Sequence, residues 1–171
     1  MQTYNKTTQS HPMFPAALAL PLKIIPSFIH NNALVMTLNK IFYNDMKEGE
    51  LDFLQGKVVH ITVYDADIEF RFTINNDKLI AANKNQSADL FLKGTVYDYL
   101  LLASRREDTD TLFFNRRLHM QGDTELGLYV KNFLDGMDMD SHKIPAYLES
   151  VLQKSLPLYE RLFREPLINS E

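Results

Sequence analysis

The sequence contains no cysteine, and several familiar catalytic motifs are missing as well. Without cysteine the chain has no disulfide, thiol nucleophile, zinc finger or cysteine-ligated iron–sulfur cluster. It also lacks a Gly-rich phosphate loop, a G-x-S-x-G elbow and an H-E-x-x-H pair. Any chemistry must therefore use oxygen and nitrogen side chains outside these motifs.

The remaining candidate catalytic and metal-binding side chains are scattered. An acidic run begins at Asp135 and continues to Asp140, but the twelfth position of a calcium loop counted from Asp135 is Ala146 rather than a bidentate glutamate. His60 and His119 alternate with apolar residues, so both are predicted on the polar face of a sheet. We therefore expect no catalytic residue, no metal and no cofactor. The five histidines are His11, His30, His60, His119 and His142.

Charge and composition limit the class of partner. The formal net charge is -4 and the sequence pI is about 5.7, whereas nucleic-acid binding needs clustered Lys and Arg. A chain of 171 residues with 45% hydrophobic and 23% charged residues is ordinary for one globular domain with appendages. We expect one domain and no nucleic-acid partner.

The most apolar run is MFPAALALPLKIIP at residues 13–26. It is shorter than the roughly 20 residues that a membrane-spanning helix needs. Pro15 and Pro21 interrupt it and only Lys6 precedes it, which argues against a signal peptide. We predict that residues 1–26 form an apolar arm with a disordered start, which either packs on the domain or meets a membrane surface. The main domain is placed at 27–144, and a C-terminal helix and tail at 145–171.

Residues 27–47 have helical periodicity. The apolar positions are numerous enough to predict one long, largely buried helix. Its inner face consists of Leu34, Leu38, Ile41 and Phe42, widened by Val35, Met36 and Met46.

Residues 57–94 alternate between apolar and polar side chains, which is typical of half-buried strands. Turn residues near 65–66, 76–77 and 83–87 divide them into four strands. The pattern predicts an α+β fold with an antiparallel sheet that helices cover on one face. The apolar face is formed by Val59, Ile61, Val63, Ile68, Phe70, Phe72, Ile74, Ala88, Leu90 and Leu92.

Thr95 and Asp98 form a capping-box pair, so a second helix is expected to begin there and to end near Arg105. Its inner stripe is Tyr97, Leu100 and Leu101.

The following REDTDT, residues 106–111, is predicted to be a solvated loop. A terminal helix is predicted from Pro145, with Pro157 inside it.

The stretch RLHMQ at 117–121 is predicted to be the last strand, with Leu118 and Met120 on its apolar face. Asp123 then suits the N-cap of a helix. That helix carries an apolar stripe, Leu126, Val130, Phe133 and Leu134. Two adjacent arginines, Arg116 and Arg117, are expected to face opposite sides of the strand, so that one can bind an anion.

The block DTLFFNRRLHMQGDTELGLYVKNFLDGMD, residues 110–138, resembles the signature of the sterol carrier protein type 2 lipid-binding family. Within that family it is most similar to bacterial accessory factors of ubiquinone biosynthesis. The resemblance continues more loosely through EGELDFLQGK at 48–57 and LPLKIIP at 20–26. It implies an α+β fold whose sheet and helices enclose an apolar tunnel.

The resemblance also implies a non-enzymatic role in the oxygen-independent route to ubiquinone. Such a factor would bind isoprenoid quinone intermediates or phospholipid and present them to hydroxylating enzymes, from the cytoplasm and at the periphery of the inner membrane. Gly127 would leave space in the tunnel, and Arg116 and Arg117 are the head-group candidates. The predicted lipid-binding residues are Phe70, Phe72, Leu90, Leu92, Leu100, Leu101, Leu118, Met120, Leu126, Gly127, Val130 and Phe133.

Two alternatives stay open at the level of sequence. The many apolar and aromatic side chains, among them eleven Phe, eight Tyr and seven Met, suit a lipid site, but they also suit an ordinary filled core. A filled core would favour a protein-only scaffold that docks enzymes of the quinone pathway without carrying lipid.

Overall fold

The computed structural model describes residues 12–15, 24–136 and 146–163. The predicted disordered start, most of the apolar arm, the acidic run beyond Asp135 and the C-terminal tail lie outside the described residues. The helices are α1 (Ser27–Ile41), α2 (Tyr43–Glu48), α3 (Val96–Ala103), α4 (Thr109–Phe114), α5 (Thr124–Gly136) and α6 (Ala146–Phe163), with a 3₁₀ turn at Asp52–Leu54. The strands are β1 (Val59–Val63), β2 (Ile68–Asn75), β3 (Lys78–Ala81), β4 (Leu90–Gly94) and β5 (His119–Gly122).

The strands form one sheet in the order β3-β2-β1-β4-β5. The α+β class is confirmed, but the sheet is not wholly antiparallel, because β1 and β4 run parallel. After β3 the chain crosses β2 and β1, and β4 then pairs with the far edge of β1. Just before this pairing begins, Asp89 and Leu90 both donate backbone N–H groups to the carbonyl of Val58. Side-chain alternation reports which face a strand buries and carries no information on the direction of its neighbour.

The pairing register brings the apolar residues of the predicted inner face together. Val59 lies opposite Phe72 on one side and Leu90 on the other, and Ile61 lies opposite Leu92. Helix α5 covers this face with Leu126 and Val130, which are buried beside the strands. The first core cluster therefore lies between the sheet and α5.

Helix α1 covers the outer edge of β3 and is not largely buried, so that prediction is wrong. Asn39 donates to the carbonyl of Leu79 at 2.7 Å and accepts its N–H at 2.9 Å. Asn31 makes the same two bonds to the backbone of Arg71, at 2.8 and 2.9 Å. The two side-chain amides thus bind backbone N–H and C=O groups at the sheet edge that would otherwise have no strand to pair with.

The other side of α1 faces outward. Met36 is 73% exposed and Phe28 is 63% exposed, whereas Val35 is the residue of α1 that is fully buried. The helix also ends at Ile41, and Tyr43 begins the short α2. A helix that packs along the edge of a sheet buries only one side, which the wide apolar stripe of the sequence concealed.

Local capping signals are confirmed. Thr95 and Asp98 form the capping box at the start of α3, which ends at Ala103. The N–H groups of Glu125 and Leu126 both donate to Asp123 Oδ1 at 3.1 Å at the start of α5.

The REDTDT segment is not a loop throughout. Asp108 accepts the N–H of Thr111 at 2.6 Å and thereby caps α4, whose Thr109 and Leu112 are buried. The start of this helix was missed because its six residues are too few to show helical periodicity. An aspartate three residues before a threonine was the available signal.

A second core cluster lies between α3, α4 and α6. It contains Leu101, Leu112 and Leu156, and Tyr97 stacks on Tyr159 with ring centroids 5.7 Å apart. Phe14 of the predicted arm packs there as well, 6.5 Å from the ring of Tyr159. Helix α6 contains Pro157, as predicted.

Candidate functional site

An apolar cavity of about 170 Å³ lies between the covered face of the sheet and α5. Phe72 and Leu92 supply its floor from the sheet, and Val130 and Phe133 face it from successive turns of α5. These four residues belong to the predicted lipid-binding set. Their side chains are hydrocarbon throughout, so this part of the lining is suited to contact with an apolar ligand.

Aromatic rings enclose the cavity at the end near α2 and the 3₁₀ turn. Phe133 contacts Phe42 edge-on at 5.4 Å and Phe53 at 6.3 Å, and Phe53 stacks on Tyr129 at 5.7 Å. Such ring contacts hold a wall in place without placing charge in it.

Several lining residues were not predicted as site residues. In the segment ELDFL, residues 50–54, apolar and acidic residues alternate, so its sequence pattern does not predict a buried turn. The structure places Leu51, Phe53 and Leu54 against the cavity, around the 3₁₀ turn at Asp52–Leu54. Tyr99 and Leu102 line the cavity from α3, whereas the predicted stripe of that helix faces the second core. The missed residues are Leu38, Phe42, Leu51, Phe53, Leu54, Val59, Ile61, Leu79, Tyr99, Leu102 and Leu134.

The wall formed by Tyr99 is uncharged. Its hydroxyl donates to the carbonyl of Thr62 at 3.4 Å. Burial raises the pKa of Tyr99 well above its usual range, with the neighbouring Asp98 adding to the shift. The phenol therefore stays protonated at physiological pH, and its side chain adds no charge to the cavity wall.

Four other predicted lipid-binding residues lie beside a second space, an open cleft of about 500 Å³ between β5 and α5. They are Leu90, Leu118, Met120 and Gly127. The structure therefore divides these eight predicted tunnel residues between an apolar cavity and a more open, adjacent cleft.

Gly127 does not leave the empty space that was expected. A Cβ atom added there would lie 2.6 Å from Met120 Sδ and 3.5 Å from Leu90 Cδ1. The absence of a side chain instead lets Met120 pack against α5. The loss of helix propensity at a glycine is offset here by this close contact with β5.

The rest of the predicted set lies elsewhere in the fold. Leu126 is 3% exposed in the first core cluster, and Leu101 is buried in the second, where Leu100 packs against it. Phe70 is half-buried on the covered face of the sheet, opposite Ile61. These positions lie beside neither the cavity nor the cleft.

The two adjacent arginines do not lie in a strand, because β5 begins at His119. Arg116 has a φ of 56° in the turn after α4 and is exposed at the rim of the cleft. The side chain of Arg117 is 9% exposed; its Nη2 lies 2.7 Å from Asp98 Oδ1 and its Nη1 lies 3.1 Å from Glu107 Oε1. Arg117 already meets two carboxylates of the protein, so Arg116 is the arginine available to a head group.

The polar residues of the cleft form local charge pairs. Lys131 lies 3.0 Å from Asp110 and 2.9 Å from Asp135, and these hydrogen bonds raise its pKa. Asp123 accepts the capping N–H groups and the ammonium of Lys57 at 3.2 Å, which lower the pKa of its carboxyl group. Both groups therefore remain ionised across the physiological range.

The histidines of the sheet lie on its other face. His60 Nε2 is 3.4 Å from Glu69, and its ring lies 5.5 Å from that of Phe91. His119 lies opposite Lys93 of β4, and Lys93 lies opposite Thr62 of β1. Thr62 is two residues from His60, so both histidines point to the same face of the sheet. Among the described residues, no group of three acidic, histidine or cysteine side chains is placed to hold a metal.

Within residues 12–15, 24–136 and 146–163, none of the helices combines the length and apolarity needed to span a bilayer.

Comparison with known proteins gives consistent results. The family model described as the SCP-2 sterol transfer family matches residues 38–135. The protein named Ubiquinone biosynthesis accessory factor UbiT from Escherichia coli strain K12 is 38% identical over 138 residues, which cover 81% of this chain and 78% of that protein. The same values hold for UbiT of Escherichia coli O157:H7.

A solved structure described as the UbiJ-SCP2 ubiquinone synthesis protein has the same fold. It superimposes with a TM-score of 0.53 at 16% identity and covers 63% of this chain and 94% of that chain. The family match spans more than half of the sequence and includes both the cavity and the cleft. The chain belongs to the SCP-2 sterol transfer family.

Proposed function

We propose that this protein is a non-catalytic, lipid-binding accessory factor of ubiquinone biosynthesis. The observation that carries the proposal is the cavity lined by apolar side chains on the covered face of the sheet. The name of the UbiT relatives supports the pathway and the accessory role. The ligand would be an isoprenoid quinone intermediate of the oxygen-independent route, or a phospholipid, presented to the hydroxylating enzymes that act on it.

The physical basis is the transfer of a hydrocarbon tail from water into an apolar space. Each buried methylene contributes about 0.8 kcal/mol, so five of them supply about 4 kcal/mol before the cost of ordering the tail. A carrier of this kind needs an apolar cavity and an opening, and it needs no catalytic group.

Filling the cavity should remove the ligand without unfolding the protein. Val130 is 9% exposed and lines the cavity from α5, so in Val130→Phe the ring takes space that the tail requires. We expect prenyl-lipid occupancy to fall about tenfold, at an overpacking cost of about 1–3 kcal/mol. The measurement is organic extraction and mass spectrometry of protein purified from quinone-producing cells, beside circular dichroism.

Val96→Phe is the matched control, because Val96 is half-buried beside the second core cluster, away from the cavity. Equal losses in the two folded variants would place the lipid outside the cavity. A clean extract from the unaltered protein would favour the alternative function, a scaffold that docks pathway enzymes without carrying lipid.

The outward side of α1 is proposed to meet the membrane from which lipid is taken. Ile24, which precedes α1, is 82% exposed, and Phe28 and Ile29 of α1 are 63% and 47% exposed; α1 contains no acidic residue. An apolar helix side of this kind can insert shallowly into the interface. This proposal extends the predicted arm of residues 13–26 into the described part of the chain.

Replacing these side chains should weaken membrane binding. We expect the double variant Ile24→Glu, Phe28→Glu to float with anionic liposomes at least fivefold less than the unaltered protein, with little dependence on salt. Leu158 and Leu162 of α6 are also exposed, at 56% and 60%, so Leu158→Glu, Leu162→Glu is the control. Equal flotation of all three proteins would show that another surface meets the bilayer.

A further inference from the structure

The apolar cavity is small for the ligand proposed above. Ligand pockets usually measure about 300–1,000 Å³, whereas this cavity measures about 170 Å³. The cleft beside it, at about 500 Å³, is large enough but open, and polar residues stand at its rim. An amphiphile with a polar head and an apolar tail therefore matches neither space alone.

The two spaces are neighbours on the same elements. On β4, Leu90 lines the cleft and Leu92, the next residue on that face, lines the cavity. On α5, Gly127 lines the cleft and Val130, about one turn later, lines the cavity. The cleft and the cavity thus follow one another along a single sheet–helix interface.

Met120 lies at their junction. Its Cα is paired with that of Leu92, a residue of the cavity, while its side chain packs over Gly127, a residue of the cleft. A methionine has three rotatable side-chain bonds and adapts readily to different surroundings. It packs against α5 at Gly127, where no side chain stands between Met120 and the helix backbone.

We propose that the cleft and the cavity are the two halves of one elongated site for a single-chain amphiphile, and that Met120 is the side chain that moves to join them. This inference rests on the proposed function. The tail enters past Met120 into the cavity, and the head group, a hydrogen-bond acceptor such as a carboxylate or a phenol oxygen, stays in the cleft.

Arg116 is the residue that we assign to the head group. Lys131 at the same rim is held by Asp110 and Asp135, so its charge is already neutralised within the protein. Arg116 makes no such ion pair with the described residues, and its guanidinium is exposed at the mouth of the cleft. A guanidinium donates two parallel hydrogen bonds to planar acceptors, which suits this role.

The test uses cis-parinaric acid, a linear fatty acid whose fluorescence rises in apolar surroundings, mixed with the full-length protein in a stopped-flow instrument. Met120→Ala removes the obstructing side chain, and we expect association to be about tenfold faster. Met120→Ile keeps the bulk but is branched at Cβ and stiffer, so association should be slower than in the unaltered protein.

Two other methionines provide controls. Met36 is 73% exposed on α1, and Met46 is 5% exposed in the first core cluster without lining the cavity. Met36→Ala should leave the rates unchanged, and Met46→Ala reports the effect of general destabilisation. A change in rate shared by Met46→Ala and Met120→Ala would overturn the role of Met120.

Equilibrium titration separates the head-group assignment from the motion. Arg116→Gln should weaken binding of the fatty acid about tenfold, chiefly through faster dissociation. If the unaltered protein binds neither the fatty acid nor a long-chain alkylphenol, the proposed function itself fails. If it binds them and the variants of Met120 and Arg116 behave like the unaltered protein, only the joined site is overturned.

Discussion

Arg117→Ala should strongly destabilise the protein, because it breaks a buried ion pair. The Arg117 side chain is 9% exposed and that of Asp98 is 4% exposed, and Arg117 Nε donates to Asp98 Oδ1 at 2.8 Å. Removing one member of a buried pair leaves the other charge without compensation, at a cost of about 3–5 kcal/mol.

The expected loss in the free energy of unfolding is at the lower end of this range, about 3 kcal/mol, because Asp98 keeps its hydrogen bonds from Thr95. Its Oδ2 accepts the N–H of Thr95 at 2.9 Å and the hydroxyl of Thr95 at 2.6 Å. For a domain of this size such a loss lowers the thermal midpoint by about 6–12 °C. Arg117 also lies 5.3 Å from the ring of Tyr97, so its removal loosens the second core cluster.

The neighbouring arginine is the matched control. Arg116→Ala should change the thermal midpoint by less than about 2 °C, because exposed substitutions usually cost no more than about 0.5 kcal/mol. Thermal unfolding by calorimetry on the three proteins distinguishes the two positions. Equal destabilisation by the two substitutions would mean that the ion pair with Asp98 contributes little and that the loss is a property of the turn.

Leu126→Asp is expected to have a still larger effect, because Leu126 is 3% exposed against the covered face of the sheet. The substitution loses the burial of a leucine, about 2–5 kcal/mol, and adds a carboxylate that must be desolvated or protonated. We expect a loss of at least about 4 kcal/mol at pH 7.5.

The free energy of unfolding of Leu126→Asp is expected to increase as the pH falls. Burial would raise the pKa of the introduced carboxyl in the folded state, so the folded protein would bind the proton more tightly than the unfolded chain. Lowering the pH to about 5 should therefore recover part of the lost stability. Urea unfolding of Leu126→Asp at pH 7.5 and at pH 5 measures this recovery.

Leu128→Asp, two residues along the same helix, is the control. Leu128 is 56% exposed, and its substitution should be nearly neutral at either pH. A stable Leu126→Asp variant with no pH dependence would contradict the packing of α5 on the sheet.

The features that the sequence predicts correctly are mostly local. A capping box joins Thr95 to Asp98 within one turn, and Asp123 caps its own helix, so residue type and spacing were sufficient. Alternation likewise identified the buried side of β1, β2 and β4, but no inner-face residue was predicted for β3. Family resemblance supplied the architecture as a whole, and the comparison confirms it.

The features that were missed depend on contacts between distant segments. The parallel pairing of β1 with β4 depends on how the chain returns after β3, and no local pattern records that path. The exposed side of α1 has the same residue types as a buried side, so only the sheet edge beneath it decides the orientation. The division of the predicted tunnel residues between cavity and cleft depends on packing between β4, β5 and α5, such as that of Met120 against Gly127.

Because a helix takes the place of an edge strand, the residues proposed to meet a membrane are attached to the sheet itself. Asn31 and Asn39 hold α1 there, so this helix cannot separate from the sheet without breaking two pairs of hydrogen bonds between side-chain amides and the backbone. The same helix turns Phe28 outward and Leu38 toward the cavity. If the exposed side chains of α1 meet a bilayer as proposed, these hydrogen bonds would hold the sheet, and the cavity on its covered face, in one orientation relative to the membrane surface.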